Sequence, residues 1–179
     1  MTWSASRALP VAVLLVSFLL GLGINWLWGP HLLSGDEPDY QRLADQFART
    51  GAYGWPGFQA VRAPLYPVLL GLVYRGLGPD PWGGRILQSV LGALMVLCTF
   101  LIARRLAGPR AGLLASSFMV LDSYWWLNQV ELMQENLLAV LLGVSFLLIW
   151  AAVEPRGWDL RPTRRPLSRR RIASDIDGT

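Results

Sequence analysis

The sequence has no lysine, one cysteine and one histidine. A single thiol, Cys98, cannot close an internal disulfide, so redox stapling is no part of the design. A single imidazole, His31, makes neither a metal cluster nor a catalytic triad. All sixteen basic residues are arginine, which we read as coding bias rather than chemistry. Also missing are a phosphate-cradling glycine loop, zinc-ligand spacing, a Ser-His-Asp pattern and any internal repeat. Charge is scarce, at 16% of residues, and unevenly placed: seven arginines follow Glu154, in "RGWDLRPTRRPLSRRR". Beside apolar spans such a run reads as a membrane flank drawn to anionic lipid, and nucleic acid is not an expected partner.

What the chain does have is hydrocarbon: 53% of its 179 residues are hydrophobic and nine are tryptophan. The apolar runs fall at about 9–28, 86–106, 111–127 and 132–153, each read as a crossing of a bilayer core roughly 30 Å thick. The first is too long for a signal-peptide core and lacks a small-x-small cleavage site, so it reads as an uncleaved anchor. Between the first and second runs, Tyr40, Leu43, Ala44, Phe47 and Ala48 recur at helical spacing. They predict an amphipathic interfacial helix over about 38–50, stopped by Gly51. The stretch 64–77, "PLYPVLLGLVYRGL", is short for a span and contains Pro67 and Arg75, and reads as a second interfacial helix.

Charge then orders these pieces. With 64–77 on the surface there are four spans. Arg104, Arg105, Arg110 and the basic tail then share one side, as cytoplasmic flanks do. The expected fold is an all-α membrane domain over 1–153, with an extracytoplasmic loop over about 29–85 and an Arg-rich disordered cytoplasmic tail over 154–179. The N-terminus is placed in the cytoplasm. Trp26, Trp28, Trp125 and Trp126 are expected at the outer interface, where indoles favour the boundary.

Just past the anchor, "SGDEPDY" (34–40) sets Asp36, Glu37 and Asp39 within four positions. Asp36 at the start of a helix is a natural N-cap, and acids there suit the helix dipole. Equally, a carboxylate at the bilayer boundary can meet a lipid-borne donor and a water-borne acceptor together. Glu135, which opens the last run, reads either as a site residue or as a boundary residue facing water. Asp122, in "VLDSYWW", is expected to face the bundle interior. Arg62 and Arg75 also suit contacts with lipid phosphate.

The order of features is more specific than any one of them. An anchor is followed by "D-E-x-x-Y", then by "R-x-P-L-Y-P-x-L-L-x-L-x-Y-R-x-L-G" and by "L-I-A-R-R-L-A-G-x-R-A-G-L-L-A". A final "Q-E-N-L" opens the last span. Over about Leu9–Val153 this resembles the N-terminal part of family 39-like membrane glycosyltransferases of the C superfold. Protein mannosyltransferases and lipid A aminoarabinose transferases belong to that group. The resemblance implies transfer of a sugar from a polyprenyl-phosphate donor to an acceptor on the extracytoplasmic face. It implies Asp36 as general base with Glu37 as motif partner, and Arg62, Tyr66 and Glu135 as substrate-binding positions. It implies no cofactor, although a divalent metal stays open, and its partners are membrane lipid and a lipid-linked sugar. Full members have many more spans, so the chain has the look of a fragment, a truncated frame or a degenerate copy. The alternatives are a non-catalytic multi-pass protein packed against a membrane partner and, against the absence of paired broken helices, a transporter subunit.

Overall fold

The computed structural model describes residues 3–28, 35–54 and 62–153. His31, residues 55–61 and the Arg-rich tail lie outside the described residues. Every regular element among the described residues is helical: α1 (Trp3–Trp28), α2 (Glu37–Thr50), α3 (Leu65–Leu77), α4 (Pro81–Ala107), α5 (Pro109–Leu121), α6 (Ser123–Val130) and α7 (Glu135–Val153). Three of them, α1, α4 and α7, hold stretches long and apolar enough to cross a membrane. Leu19, Leu27, Leu142, Leu148 and Ile149 stand more than half exposed along them, which water would not tolerate at this density but lipid does. The chain is an all-α membrane protein.

The hub is α4, against which α1, α3, α5, α6 and α7 all pack. Its 27 residues run about 40 Å. Asp80 caps it by accepting the Trp82 amide at 2.8 Å, and Pro81 fills a position whose amide has no helical partner. Small residues let its neighbours close in. A Cβ on Gly112 of α5 would lie 2.9 Å from the Phe100 carbonyl oxygen. One on Gly143 of α7 would lie 2.8 Å from Cys98 Cβ.

One end of α4 carries the α2–α3 pair. The face of α2 made by Tyr40, Leu43 and Ala44 is buried, and it is covered by α3 rather than by lipid headgroups alone. The two helices touch through Gly71, where a Cβ would meet the Ala44 carbonyl at 2.8 Å. Gly51 ends α2 at φ +76°, a conformation that favours glycine. Arg75 reaches across from α3 to donate to the carbonyls of Phe47 and Ala48, both at 3.1 Å. It is therefore a cap on the negative end of α2, not a lipid-phosphate anchor.

Three expectations need correction. The stretch 111–127, read as one span, is two helices that part at Asp122, where the backbone is extended. Asp122 does not face the bundle interior: it is exposed and caps α6 through the Tyr124 amide at 3.2 Å. The break frees a carbonyl of the preceding turn, and the Trp126 indole donates to it, at Val120 O, over 2.6 Å. Trp125, expected on the outer boundary with Trp26 and Trp28, is packed inside the bundle, whereas those two are exposed. It is 1% exposed, with its indole N–H 3.5 Å from the Gly92 carbonyl of α4.

Candidate active site

The acidic motif sits where α2 begins, beside the start of α3 and the turn between α6 and α7. Asp36 precedes α2, and its backbone carbonyl accepts the amides of Asp39 and Tyr40 at 3.1 and 3.3 Å. Its side chain makes no capping bond. It turns instead to Arg62, whose Nη2 donates to Asp36 Oδ1 and, at 3.0 Å, to Asp39 Oδ2. Arg62 thus bridges two carboxylates from a segment 23 and 26 residues away. Asp39, and after the cost of desolvation Asp36, raise the guanidinium above its ordinary value. The Asp36 side chain remains 48% exposed. Tyr53 fixes the strand of chain carrying Arg62 by donating its hydroxyl to the Arg62 carbonyl.

Beneath this bridge lies an aromatic floor. The Arg62 guanidinium stands 5.6 Å from the centre of the Tyr40 ring. Tyr40 and Tyr66 meet edge to face at 5.2 Å, a preferred geometry for paired rings. Burial raises the Tyr40 phenol above its ordinary value. Arg62 works against that, while Glu135 and Asp36 add to it. Tyr66 is pushed well above its ordinary value, by burial first and then by Tyr74, Glu37, Tyr40 and Glu135. Both phenols are therefore neutral O–H donors at physiological pH. The Tyr66 hydroxyl and Glu135 Oε2 are buried and find no hydrogen-bond partner among the described residues.

So the fold gathers Asp36, Glu37, Arg62, Tyr66 and Glu135 around Tyr40, from three separate parts of the chain. Their exposures differ sharply. Glu37 is 0% exposed, and its Oε1 accepts the Leu132 amide at 2.9 Å. Sequence reasoning missed Asp39 as the second partner of Arg62, and also a seam of buried amides below the site. Asn25 of α1 donates to Ser89 of α4 at 3.1 Å, and Asn136 of α7 to the Asn128 carbonyl at 2.8 Å. The usable signal was the presence of Asn and Gln inside otherwise apolar runs. Among the described residues no group of three His, Cys, Asp or Glu side chains converges as a metal site.

Three grooves are lined by described residues. One of about 480 Å³ runs between α1 and α5, past Val13, Ser17 and Ser116. A second, of about 420 Å³, joins Trp28 of α1 to Trp126 and Val130 of α6. A third, polar and about 340 Å³, lies on the outer face of α2 by Arg42 and Asp45. Asp36 lines none of these three.

The profile of the dolichyl-phosphate-mannose-protein mannosyltransferase family matches residues 61–160, more than half of the chain. The chain belongs to that family. The matched stretch opens just before Arg62 and takes in Tyr66, Glu135 and the whole of α3 to α7. Asp36 and Glu37 precede the mannosyltransferase match, so their place in the site rests on the geometry above. No curated protein and no solved structure gives a significant match.

Proposed function

We propose that the chain serves a polyprenyl-phosphate-sugar-dependent glycosyltransferase, moving a sugar to an acceptor on the extracytoplasmic face, with Asp36 as general base. One observation carries this reading: Asp36 is half exposed yet held in place, aimed by Arg62 above a floor of buried tyrosines. The family membership supplies the reaction class.

The chemistry asks for little else. A phosphate leaves the sugar without help from an acid. The acceptor hydroxyl must lose its proton, and Asp36 takes it. The acceptor oxygen then bonds to the anomeric carbon as the carbon–oxygen bond to phosphate breaks, releasing polyprenyl phosphate. Arg62 with Asp36 and Asp39 sums to one negative charge, which suits a base better than a phosphate cradle. Arg62 therefore orients Asp36, with Glu135 as the substrate-binding candidate and the buried Tyr66 as part of the floor beneath them. Placing this end outside puts Arg104, Arg105 and Arg110, at the far end of α4, in the cytoplasm, in keeping with the positive-inside bias. At the bilayer centre an Asp would cost roughly 2.5–3.5 kcal/mol on insertion scales; at the boundary the penalty falls.

The test is transfer from a radiolabelled lipid-phosphate sugar in membranes carrying the chain. Asp36→Asn is expected to lower the rate at least about 100-fold, the scale of a lost general base, with membrane insertion unchanged. Equal rates in the two membranes would remove Asp36 from the reaction. The two apolar grooves along α1 favour a second reading, a non-catalytic protein packed against a membrane partner. Cross-linking to another chain, without transfer by any version, would support it.

A further inference from the structure

Asp36 and Glu37 are neighbours in the chain, yet the fold treats them oppositely. Asp36 keeps half of its side chain in the open, whereas Glu37 is sealed. A sealed carboxylate cannot reach an acceptor hydroxyl. Its Oε1 is spent on the backbone of Leu132, 95 residues further on, in the turn between α6 and α7.

That turn satisfies itself only in part: the Met133 amide donates to the Glu131 carbonyl at 3.0 Å and the Glu131 amide to the Leu127 carbonyl at 3.1 Å. The helices on either side leave their terminal amides and carbonyls without helical partners, and at the edge of a bilayer water is a poor substitute. Two side chains fill the gap. Glu37 accepts the Leu132 amide from the α2 side. Gln88 of α4 donates its Nε2 to the carbonyls of Glu131 and Met133, at 2.6 and 2.7 Å. Its Oε1 accepts from Asn136 at 3.4 Å, which ties the same amide group to the first turn of α7. Glu135 is two residues beyond this grip, and its carboxylate contributes to the surroundings of both Tyr40 and Tyr66.

We infer that Glu37 and Gln88 are positioning residues, which together clamp residues 131–133 and so set Glu135 against the Tyr40–Tyr66 floor. The bearing of the clamp on sugar transfer rests on the reading above; the clamp itself does not. Toward the Leu132 amide Glu37 supplies an acceptor oxygen, a role that glutamine can keep and leucine cannot. A buried amide that loses its acceptor bears the full cost of desolvation, and the turn opens to relieve it.

Hydrogen–deuterium exchange of the full chain in lipid nanodiscs reads the clamp directly, through the peptide carrying the Leu132 amide. Exchange there is expected to be slow in the unaltered chain and in E37Q, and at least tenfold faster in E37L. In the transfer assay E37L loses at least tenfold in kcat. E37Q restores most of that loss and keeps the pH profile of the unaltered chain. Exchange in E37L as slow as in the unaltered chain overturns the clamp. E37Q that exchanges slowly but transfers no sugar overturns the positioning role, because Glu37 would then act through its charge rather than through the turn. If E37L does not accumulate, Q88L takes its place with the same expected tenfold acceleration, and its absence overturns the proposal equally. Acceleration in E37L combined with undiminished transfer by Asp36→Asn upholds the clamp and removes only the assignment of the base.

Discussion

Helices α4 and α7 are nearly matched in mean hydropathy, 2.3 and 2.4 over their most apolar stretches, yet half of the first stretch is buried and only 11% of the second. Apolarity therefore says that both suit a bilayer and nothing about which one the others wrap. The difference lies in the minority residues. Along α4, Gly83, Gly84, Arg85, Gln88, Ser89, Gly92 and Ala93 are buried, while in α7 only Asn136 and Val140 are. In lipid, Leu gains little by leaving one hydrocarbon for another. Close backbone approach and hydrogen bonds decide which face turns inward. Small and polar residues of α4 thus share its buried face with Leu87, Leu91, Val96 and Phe100, the reverse of what they would mark in water.

That contrast can be broken most forcefully at the α4–α5 crossing. Gly112→Val places a methyl-bearing carbon 2.9 Å from the Phe100 carbonyl oxygen and 3.0 Å from its ring. Overpacking of this kind costs roughly 1–3 kcal/mol, and here the obstacle is main chain that cannot step aside. Thermal unfolding in detergent should show the largest loss of any single change in the set.

A middle-sized effect should come from the place where α3 leans on the start of α4. Tyr74 is buried there, beside Gly83, and burial, followed by Asp80 and Asp45, pushes its phenol up to about 12. The sign follows directly. The unfolded phenol loses its proton near pH 10 and the folded one later, so stability is intact below pH 10 and falls as pH rises from 10 towards 12. Tyr74→Phe should flatten that alkaline slope in a denaturation series. An unchanged slope would place the sensitive group elsewhere.

The smallest effect is expected in α7. Leu148 is 64% exposed, on a face of α7 that suits lipid. Leu148→Ala should leave the unfolding temperature within the scatter of replicates, as surface changes usually do. A loss comparable to that of Gly112→Val would mean that α7 has a protein neighbour, and the contrast with α4 would fail.

Much of this arrangement is legible from the chain. The period of Tyr40, Leu43 and Ala44 gives the buried face of α2, and the long apolar runs give α1, α4 and α7. The gathering of Arg62, Tyr66 and Glu135 with the acidic motif follows from family resemblance rather than from spacing. What the sequence hides is long-range. Nothing local distinguishes Asp36 from Glu37, because their fates depend on Arg62 and on the Leu132 amide. Arg75 reads as a lipid anchor until its partners, the carbonyls of Phe47 and Ala48, are seen. Hydropathy runs straight through Asp122, since one acid among leucines and tryptophans barely moves a window average.

The parting of α5 from α6 has a consequence of its own. An interrupted apolar helix ordinarily needs a cavity, a neighbour or a trapped solvent molecule to quiet its loose carbonyl. Here the chain brings the remedy with it, as an indole six residues on folds back over the gap. The kink therefore travels as a finished part. It should survive wherever that indole is kept, and replacing the indole with a ring that lacks an N–H would leave the Val120 oxygen without that partner.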